Sequence, residues 1–420
     1  MLALAAVTVA VGVWRGTTAG ELGTATPPFV AAWSPRLDPA AVLAIVLLPS
    51  AAILAPRLRA ARVAPVAFAA ASFAAALALG LAVGAMRSGS DGWAHVFELG
   101  PGGSFEAANE YLPGIPTLRW GVANYLDRFA ETVPSQPVNV AGHPPGPLLL
   151  LRALGIDGAG GLATLCIVAA AACAPLTYLL ARAAEAGPEG TARTAALLVV
   201  LAPIVLLDGV TSFDAVYAAM GAGAAVLLLQ RRGWLIGLGA LGFALATLFS
   251  WALLGIGAAV GLLRWRRDGW RSALAVATAC GVAVLVGNAV LAVGWGYDPI
   301  GTLRATEGVY RHSLARVRPY WFWVLGSPVA WGAMLGLPVI AATVRGALRG
   351  SAVAVAIVAV VAIAALAGFT KAETERIWLI FVPLACVAAA EALPDRRLRG
   401  VLVALALQTL VVQALFDTVW

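Results

Sequence analysis

The sequence predicts an all-α polytopic membrane protein with about thirteen transmembrane helices. Hydrophobic residues make up 61% of the 420 residues and charged residues only 12%, whereas a soluble domain carries roughly 25% charged residues. The mean hydropathy is +0.89. The apolar runs are rich in small residues, which let transmembrane helices approach closely. These runs lack the alternation of outer-membrane strands, so the spans are expected to be helical.

Charges and turn residues divide the apolar sequence into the expected helices. Several segments are nearer 15 residues long than the ~20 that an upright span needs. Residues 233–263 are expected to form either two short helices, at 235–250 and 251–263, or a dipping, tilted pair, with an outward turn near Ser250. In chain order, the segments are 1–14, 39–55, 63–86, 160–182, 194–207, 211–229, 235–250, 251–263, 273–294, 322–344, 350–368, 377–392 and 400–417.

The distribution of arginines predicts the orientation of these helices. Basic residues concentrate in cytoplasmic connections, which here are 57–62, 182–193, 231–232, 264–271, 345–349 and 396–399. The three histidines and the single lysine, Lys371, then lie outside the cytoplasm. The net charge of +7 is therefore interpreted as a topology signal, and no nucleic acid is expected as a partner. The four cysteines all fall in apolar runs and are expected to be small core residues.

Three regions follow from this orientation. Residues 1–86 are expected to be N-terminal transmembrane helices. Residues 87–159 are expected to form a large extracytoplasmic loop that contains interfacial helices. Residues 160–420 are expected to form the transmembrane core, with outer loops at 295–321 and 369–376. Membrane lipids are the expected surroundings of the whole chain.

The large loop carries most of the candidate chemistry. Segments this long without obvious structure of their own are usually functional. Asp91 lies just past the third expected helix, and Glu110 and Tyr111 follow about twenty residues later. A carboxylate at the membrane surface can remove a proton from an attacking hydroxyl. Residues 125–131 are expected to end an interfacial helix, and His143 lies in a Gly-His-Pro-Pro-Gly turn.

A second candidate group is cationic and lies between 297 and 323. It includes Arg304, Arg311 and His312, followed by an aromatic run. Arginines can hold a phosphate through paired hydrogen bonds, and aromatic residues mark the membrane interface. The alternative is an amphipathic helix that contacts anionic lipid.

A third group lies in a short turn between two expected helices. Its charged members are Lys371, Glu373, Glu375 and Arg376. In a functional interpretation, Arg376 or Lys371 contacts a phosphate and a glutamate contacts a sugar hydroxyl; the alternative is an ordinary solvated turn. Asp214 is a further candidate, and it could instead be the N-cap of a helix.

Several short motifs together resemble one family. They are the His-Pro-Pro turn at 143–145, Ser212-Phe213-Asp214-Ala215 at a helix start, the hairpin at 235–263, Gly296-Tyr297-Asp298-Pro299 and Glu375-Arg376-Ile377-Trp378. With the large outer loop, this layout is similar to the GT-C superfamily of integral-membrane glycosyltransferases. That superfamily includes the mannosyl- and arabinosyltransferases of actinobacterial envelopes that use polyprenyl-phosphate sugars.

The resemblance implies an inverting glycosyltransferase in a bacterial plasma membrane, with its active site outside the cytoplasm. It implies a polyprenyl-phosphate-linked sugar as donor and a cell-envelope glycan or glycolipid as acceptor. An acidic residue of the first large outer loop would be the catalytic base, and Glu110 is preferred to Asp91. His143, Tyr111 and Asp214 would bind substrate. No cofactor is specified, and a divalent cation is left open.

Two other classes of function fit the sequence. A transporter or flippase of a lipid-linked saccharide needs a polar path across the membrane, and the apolar segments offer few polar residues for one. A non-catalytic membrane assembly protein would tolerate the loss of every outer carboxylate. A transfer assay with a labelled polyprenyl-phosphate sugar distinguishes these three classes.

Overall fold

The computed structural model describes residues 2–19, 22–101 and 103–418, and this part of the chain is almost entirely helical. The first three helices are α1 (Leu2–Ala19), α2 (Ala41–Ala60) and α3 (Pro65–Ser88). The α-helices of the large loop are α4 (Val122–Asp127), α5 (Phe129–Thr132), α6 (Val138–Ala141) and α7 (Gly146–Leu154). They are interleaved with 3-10 helices at Gly89–Asp91, His95–Phe97, Phe105–Ala108, Leu112–Trp120 and Val133–Ser135.

The remaining helices form the core. They are α8 (Ala159–Ala183), α9 (Glu189–Leu201), α10 (Asp214–Leu228), α11 (Gly233–Thr247), α12 (Leu254–Asp268), α13 (Trp270–Trp295), α14 (Pro299–His312), α15 (Leu314–Val317), α16 (Tyr320–Leu335), α17 (Leu337–Leu348), α18 (Ala352–Ala367), α19 (Thr374–Ile377), α20 (Val382–Ala392) and α21 (Asp395–Leu415). A π-helix at Val205–Gly209 and 3-10 helices at Trp251–Leu253 and Trp378–Phe381 complete them.

The number of spans differs from the prediction. Among the described residues, five helices are long and apolar enough to cross a membrane, or six if one bent pair counts as a single span. These five are α2, α3, α8, α13 and α21. The chain is therefore an α-helical membrane protein, but the expectation of about thirteen spans was wrong. Most expected segments are helices too short to meet this length, such as α9 and α20.

The expected single helix at 322–344 is also corrected. It is broken into α16 and α17, which meet at an angle of 113°. Gly336 lies at the break with φ of +107°, a backbone conformation that residues with a Cβ rarely adopt. The two halves consequently point in different directions, although the sequence there is apolar throughout.

The core is centred on α8, α9, α10 and α20. Every residue of α20 except Glu391 is buried, and residues 192–201 of α9 are buried as well. A helix such as α20, which is apolar on nearly all sides, packs against protein on each of them. At the other extreme, α13 is apolar yet only 11% of its span is buried, so it lies at the edge of the bundle.

Arginines tie helix ends together. The Arg193 guanidinium on α9 donates to the carbonyl oxygens of Ala61 and Val63 at 2.6 and 2.8 Å. The Arg87 guanidinium at the end of α3 donates to Ser34 and Phe416 at 2.9 and 3.0 Å. The second contact lies beside a two-stranded antiparallel sheet. Its strands are β1 (Ala32–Trp33) and β2 (Phe416–Asp417), with Ala32 opposite Asp417 and Trp33 opposite Phe416.

The large loop is anchored to the core through the Gly-His-Pro-Pro-Gly turn. The Gly146 N–H donates to the Leu248 carbonyl oxygen at 2.8 Å, and a Cβ at Gly146 would overlap that oxygen. Within the loop, the Asn139 N–H donates to the Asn109 carbonyl oxygen at 2.9 Å. These two bonds fix His143 and Glu110 relative to each other and to α11.

The expected interfacial helix is present in two pieces. α4 and α5 flank Arg128, where the helix breaks. The rings of Tyr125 and Phe129 still pack edge to face, with centroids 5.2 Å apart. Both rings are buried, so this face of the loop lies on protein.

Candidate functional site

Three residues that are far apart in sequence meet at the junction of the loop and the core. Glu110 lies between two 3-10 helices of the loop, Asp214 is the first residue of α10, and Arg376 lies in α19. The Arg376 guanidinium is 3.3 Å from an Asp214 carboxylate oxygen and 3.8 Å from one of Glu110. All three side chains are buried. The Arg376 guanidinium therefore balances carboxylates from two separate parts of the chain.

A hydroxyl fixes the carboxylate of Asp214. The Ser212 hydroxyl donates to Asp214 Oδ2 at 2.7 Å, and its oxygen accepts the Asp214 N–H at 3.0 Å. The N-cap of α10 is Phe213, and no side chain caps the helix. The expectation that Asp214 could be the N-cap was therefore wrong, and its carboxylate is turned toward Arg376.

A second buried arginine extends the network. Arg376 also lies 3.1 Å from Glu373, and the Arg318 guanidinium contacts Glu373 at 2.8 Å. Arg318 donates to the Lys371 carbonyl oxygen as well, at 2.8 Å. Burial alone would raise the pKa of Glu373, but the two guanidinium groups outweigh burial and hold that pKa below its usual value. Glu373 is consequently a fixed anion between two cations.

Tyrosine and histidine rings form the opposite wall. The Tyr111 and Tyr217 hydroxyl oxygens are 2.6 Å apart, and Tyr111 Oη is 3.3 Å from His143 Nδ1. Because Nδ1 also lies 2.7 Å from the Asn139 carbonyl oxygen, we assign its proton to that contact. Burial lowers the pKa of His143, and the nearby Asp214 only partly opposes this. His143 is thus neutral and keeps a lone pair on Nε2.

Glu110 has the properties of a proton acceptor. Only 1% of its surface is exposed, and neither carboxylate oxygen accepts a well-formed hydrogen bond from the residues that the structure describes. Burial raises the pKa of Glu110 to about 7, although the Arg376 charge and the nearby Asn139 side chain oppose the increase. A carboxyl group with this pKa exchanges its proton near neutral pH, which suits a general base.

Two further carboxylates lie behind Arg376. Glu375 accepts the Val30 N–H at 2.6 Å through one oxygen, and burial raises its pKa to about 7 despite that bond. Asp208, in the π-helix, is 1% exposed. Neither of its oxygens is hydrogen-bonded within the described ranges. π-helical turns are frequent at functional sites, and acids outnumber arginines in this cluster.

The raised pKa of Glu375 makes stability depend on pH. Between about pH 4.5 and pH 7 the folded protein holds a proton that the unfolded chain has released. The free energy of unfolding therefore falls as pH rises through this window, by about 3 kcal/mol for this group. We expect the melting temperature in detergent to fall from pH 5 to pH 8. In Glu375→Gln, which keeps an oxygen for the Val30 N–H, we expect a smaller fall.

The control for this measurement is Glu98→Gln, on the large loop, where the side chain is 44% exposed. This variant should follow the wild-type pH dependence. If Glu375→Gln and wild type lose the same stability between pH 5 and pH 8, then Glu375 does not hold its proton in the folded protein.

The structure brings together seven of the sequence-predicted site residues. These are Glu110, Tyr111, His143, Asp214, Glu373, Glu375 and Arg376. Asp91 ends a 3-10 helix, but its side chain lies outside the part of the chain that the structure describes. Both candidate bases therefore remain predictions, and only Glu110 has a described environment.

The remaining predicted residues lie outside the cluster. Arg304 and Arg311 are exposed on α14, where Arg311 pairs with Glu307, and His312 is exposed at the end of that helix. Lys371 is half-buried and donates from Nζ to the Ala315 carbonyl oxygen at 3.3 Å. α14 packs against α5 of the loop, so its arginines are near the loop without joining Arg376.

Sequence reasoning did not select several members of the cluster. Tyr217 lies one turn after Asp214 on α10, so a search of the same helix face would have found it. Asn139 lies one turn before His143. Arg318 lies in the cationic group between 297 and 323 but was not chosen among its candidates, and Asp208 gave no signal beyond its charge, because its neighbours in the cluster are distant in sequence.

The structure identifies no residues for the divalent cation that the sequence left open. Across the described ranges, no group of three or more His, Cys, Asp and Glu side chains is arranged to hold a metal ion. In the cluster itself, Arg376 and Arg318 already supply positive charge to the carboxylates. All four cysteines are buried and free, as expected of core residues.

Comparison with known proteins adds no relative. No family model matches the chain, and neither a curated protein nor a solved structure matches it. A function for this chain consequently has to be argued from its own residues.

Proposed function

We propose that the chain is an integral-membrane glycosyltransferase. It transfers a sugar, with inversion, from a polyprenyl-phosphate donor to a glycan or lipid acceptor on the extracytoplasmic side of a bacterial plasma membrane. The support comes from the buried cluster at the loop and from the motif resemblance to the GT-C superfamily. The sugar would be of the mannosyl or arabinofuranosyl type used by those transferases.

The chemical step needs one base. The acceptor hydroxyl gives its proton to the Glu110 carboxylate, and its oxygen forms a bond to the anomeric carbon of the donor sugar. The bond from that carbon to the phosphate oxygen breaks, and the polyprenyl phosphate leaves with the electron pair. Phosphate is a good leaving group, so the step requires no separate acid.

The environment of Glu110 is the observation that carries this proposal. The carboxylate has no well-formed hydrogen bond within the described residues, so its lone pairs remain available to a proton. Its pKa of about 7 keeps a large fraction ionised at neutral pH while making it a stronger base than an ordinary glutamate. A structural carboxylate would instead be expected to be fully paired.

The closed cluster requires a movement before substrates can reach Glu110. Tyr111, Asp214 and Arg376 are buried around it, whereas His143 remains partly exposed. Substrates would therefore approach from the His143 side of the Gly-His-Pro-Pro-Gly turn. His143 and Tyr111 would then position the acceptor, and Arg376 would exchange a carboxylate contact for the developing phosphate charge.

A transporter of a lipid-linked saccharide is the second candidate. It is favoured by Asp208, a carboxylate that is buried among helices and is not hydrogen-bonded within the described part of the chain. Ionisable groups in such positions often mark the path of a proton or substrate.

A transfer assay separates the two candidates. Purified protein in lipid is incubated with a radiolabelled polyprenyl-phosphate sugar and candidate acceptors, and the products are separated. We expect labelled glycan or glycolipid together with free polyprenyl phosphate. Movement of intact donor across the membrane of sealed vesicles, without cleavage, would support the transporter. If neither transfer nor movement is detected, only a role in assembly remains.

A further inference from the structure

A cleft on the large loop is lined by residues that do not belong to the Glu110 cluster. It lies between the 3-10 helix Leu112–Trp120 and helices α4 and α5, and its volume is about 480 Å³, within the range of small-molecule pockets. Its lining consists of Pro116, Thr117, Arg119, Trp120, Asn124, Tyr125, Arg128 and Thr132. The lining thus contains two aromatic rings, three hydroxyl-bearing side chains, an amide and two guanidinium groups.

Trp120 offers this cleft a flat apolar surface. The side chain is 70% exposed, and it combines an apolar ring with a polar N–H. The Arg119 guanidinium lies over the ring, 4.9 Å from its centroid, and this contact holds the indole in place. One ring face remains open to a ligand with its own apolar face, such as the C–H side of a sugar ring.

The two threonines present hydrogen-bond acceptors. The Thr117 hydroxyl donates to the Gly114 carbonyl oxygen at 2.6 Å, and the Thr132 hydroxyl donates to the Phe129 carbonyl oxygen at 3.1 Å. Each hydroxyl proton is therefore committed, and each oxygen keeps its lone pairs. The exposed Asn124 amide adds donors and an acceptor. Sugar hydroxyls, which both donate and accept, match this mixture.

The charge of the cleft argues against a phosphate. Arg128 is already paired with Glu131, at 2.9 and 3.1 Å. Arg119 stacks on Trp120 and pairs with no carboxylate among the described residues. The lining therefore has one uncompensated positive charge. A neutral or weakly acidic ligand fits this balance better than a multiply charged group.

Tyr125 is a further polar residue of the cleft lining. Its side chain is 3% exposed and lines the cleft. Its hydroxyl has no hydrogen-bond partner in the ranges that the structure describes. Buried hydroxyls are normally paired, and because the Tyr125 hydroxyl oxygen is itself buried, a ligand hydroxyl or a water reaches it only when the cleft widens.

We propose that this cleft binds a saccharide, with one sugar ring stacked on Trp120 and its hydroxyls bonded to Thr117, Asn124 and Arg119. Saccharide binding stands on the cleft alone. That the bound saccharide is the acceptor rests on the proposed function, because the cleft belongs to the same loop as Glu110.

Direct binding tests the proposal. The full chain is placed in lipid nanodiscs, so that no sugar-headed detergent competes, and saturation-transfer NMR is recorded with oligosaccharides of about two to six sugars. The panel contains hexopyranose and pentofuranose types. We expect at least one class to bind and Trp120→Ala to weaken it about tenfold or more. Trp120→Phe, which keeps an aromatic face, should bind more tightly than Trp120→Ala.

Two controls make the result specific. Trp234→Ala removes another exposed tryptophan, 62% exposed on α11, and should bind as wild type does. Glu110→Gln should retain saccharide binding even if it abolishes transfer, so binding and catalysis can fail separately. The proposal is overturned if no oligosaccharide binds, if Trp120→Ala binds as wild type, or if only inorganic phosphate or phosphorylated sugars bind.

Discussion

Replacing Glu110 by Gln is expected to reduce sugar transfer by about 10² to 10⁴-fold, the usual contribution of a general base. Glutamine has nearly the same shape, so the buried position is still filled and the variant should fold. It cannot accept the acceptor proton. Wild-type transfer should also rise with pH through about 7, because burial raises the pKa of Glu110 to about 7 and only the ionised form acts as base. The variant should lose this dependence.

The measurement is the rate of product formation from the labelled donor between pH 5 and pH 9. Glu98→Gln, which changes a half-exposed carboxylate of the same loop, is the matched control and should retain activity. Full activity in Glu110→Gln would remove Glu110 from the mechanism and make Asp91→Asn the next variant. Size-exclusion profiles of all variants show whether a loss of activity results from a loss of the folded state.

Replacing Arg376 by Gln is expected to destabilise the protein by about 3–5 kcal/mol, as removal of one partner from a buried ion pair does. The guanidinium contacts Asp214 at 3.3 Å and Glu373 at 3.1 Å. Burial acts to lower the pKa of Arg376, but these carboxylates outweigh it and raise that pKa above its usual value. Arg376 therefore stays charged, and its loss leaves buried anions facing one another.

Thermal unfolding in detergent measures this effect. Arg311→Gln is the control, because Arg311 pairs with Glu307 at the surface, where its side chain is 72% exposed, and such pairs contribute about 0–1 kcal/mol. Adding Asp214→Asn and Glu373→Gln to Arg376→Gln should recover part of the lost stability. An unchanged melting temperature in Arg376→Gln would mean that the cluster is hydrated rather than buried.

The positions of the helices could be predicted from the sequence because apolar runs end at charges and turns. The number of spans could not. The apolar stretches of α9 and α20 are buried in protein, and hydropathy does not distinguish burial in protein from burial in lipid. The break at Gly336 was missed for a related reason: a glycine within an apolar run gives no sign of its φ angle.

The candidate site could be predicted only in part. Glu110 was selected as a carboxylate of the large loop, and Asp214 and Arg376 as charges in turns between apolar segments, but nothing in the sequence pairs them. Their contact depends on how the loop, α10 and α19 pack. Tyr217 lies in an apolar helix, where an aromatic residue is usually core. Its 2.6 Å contact with Tyr111 exists only because residues 106 positions apart are brought together.

The order of these residues along the chain also constrains biosynthesis. A ribosome makes Glu110 and Asp214 long before Arg376, the cation that both of them face. Until α19 has left the translocon, the carboxyl groups of Glu110 and Asp214 have no guanidinium beside them. In the nascent chain these groups must therefore stay hydrated or protonated. A polypeptide cut short before residue 376 would carry an unneutralised acidic centre, so the synthesis of α19 decides whether the earlier part can close.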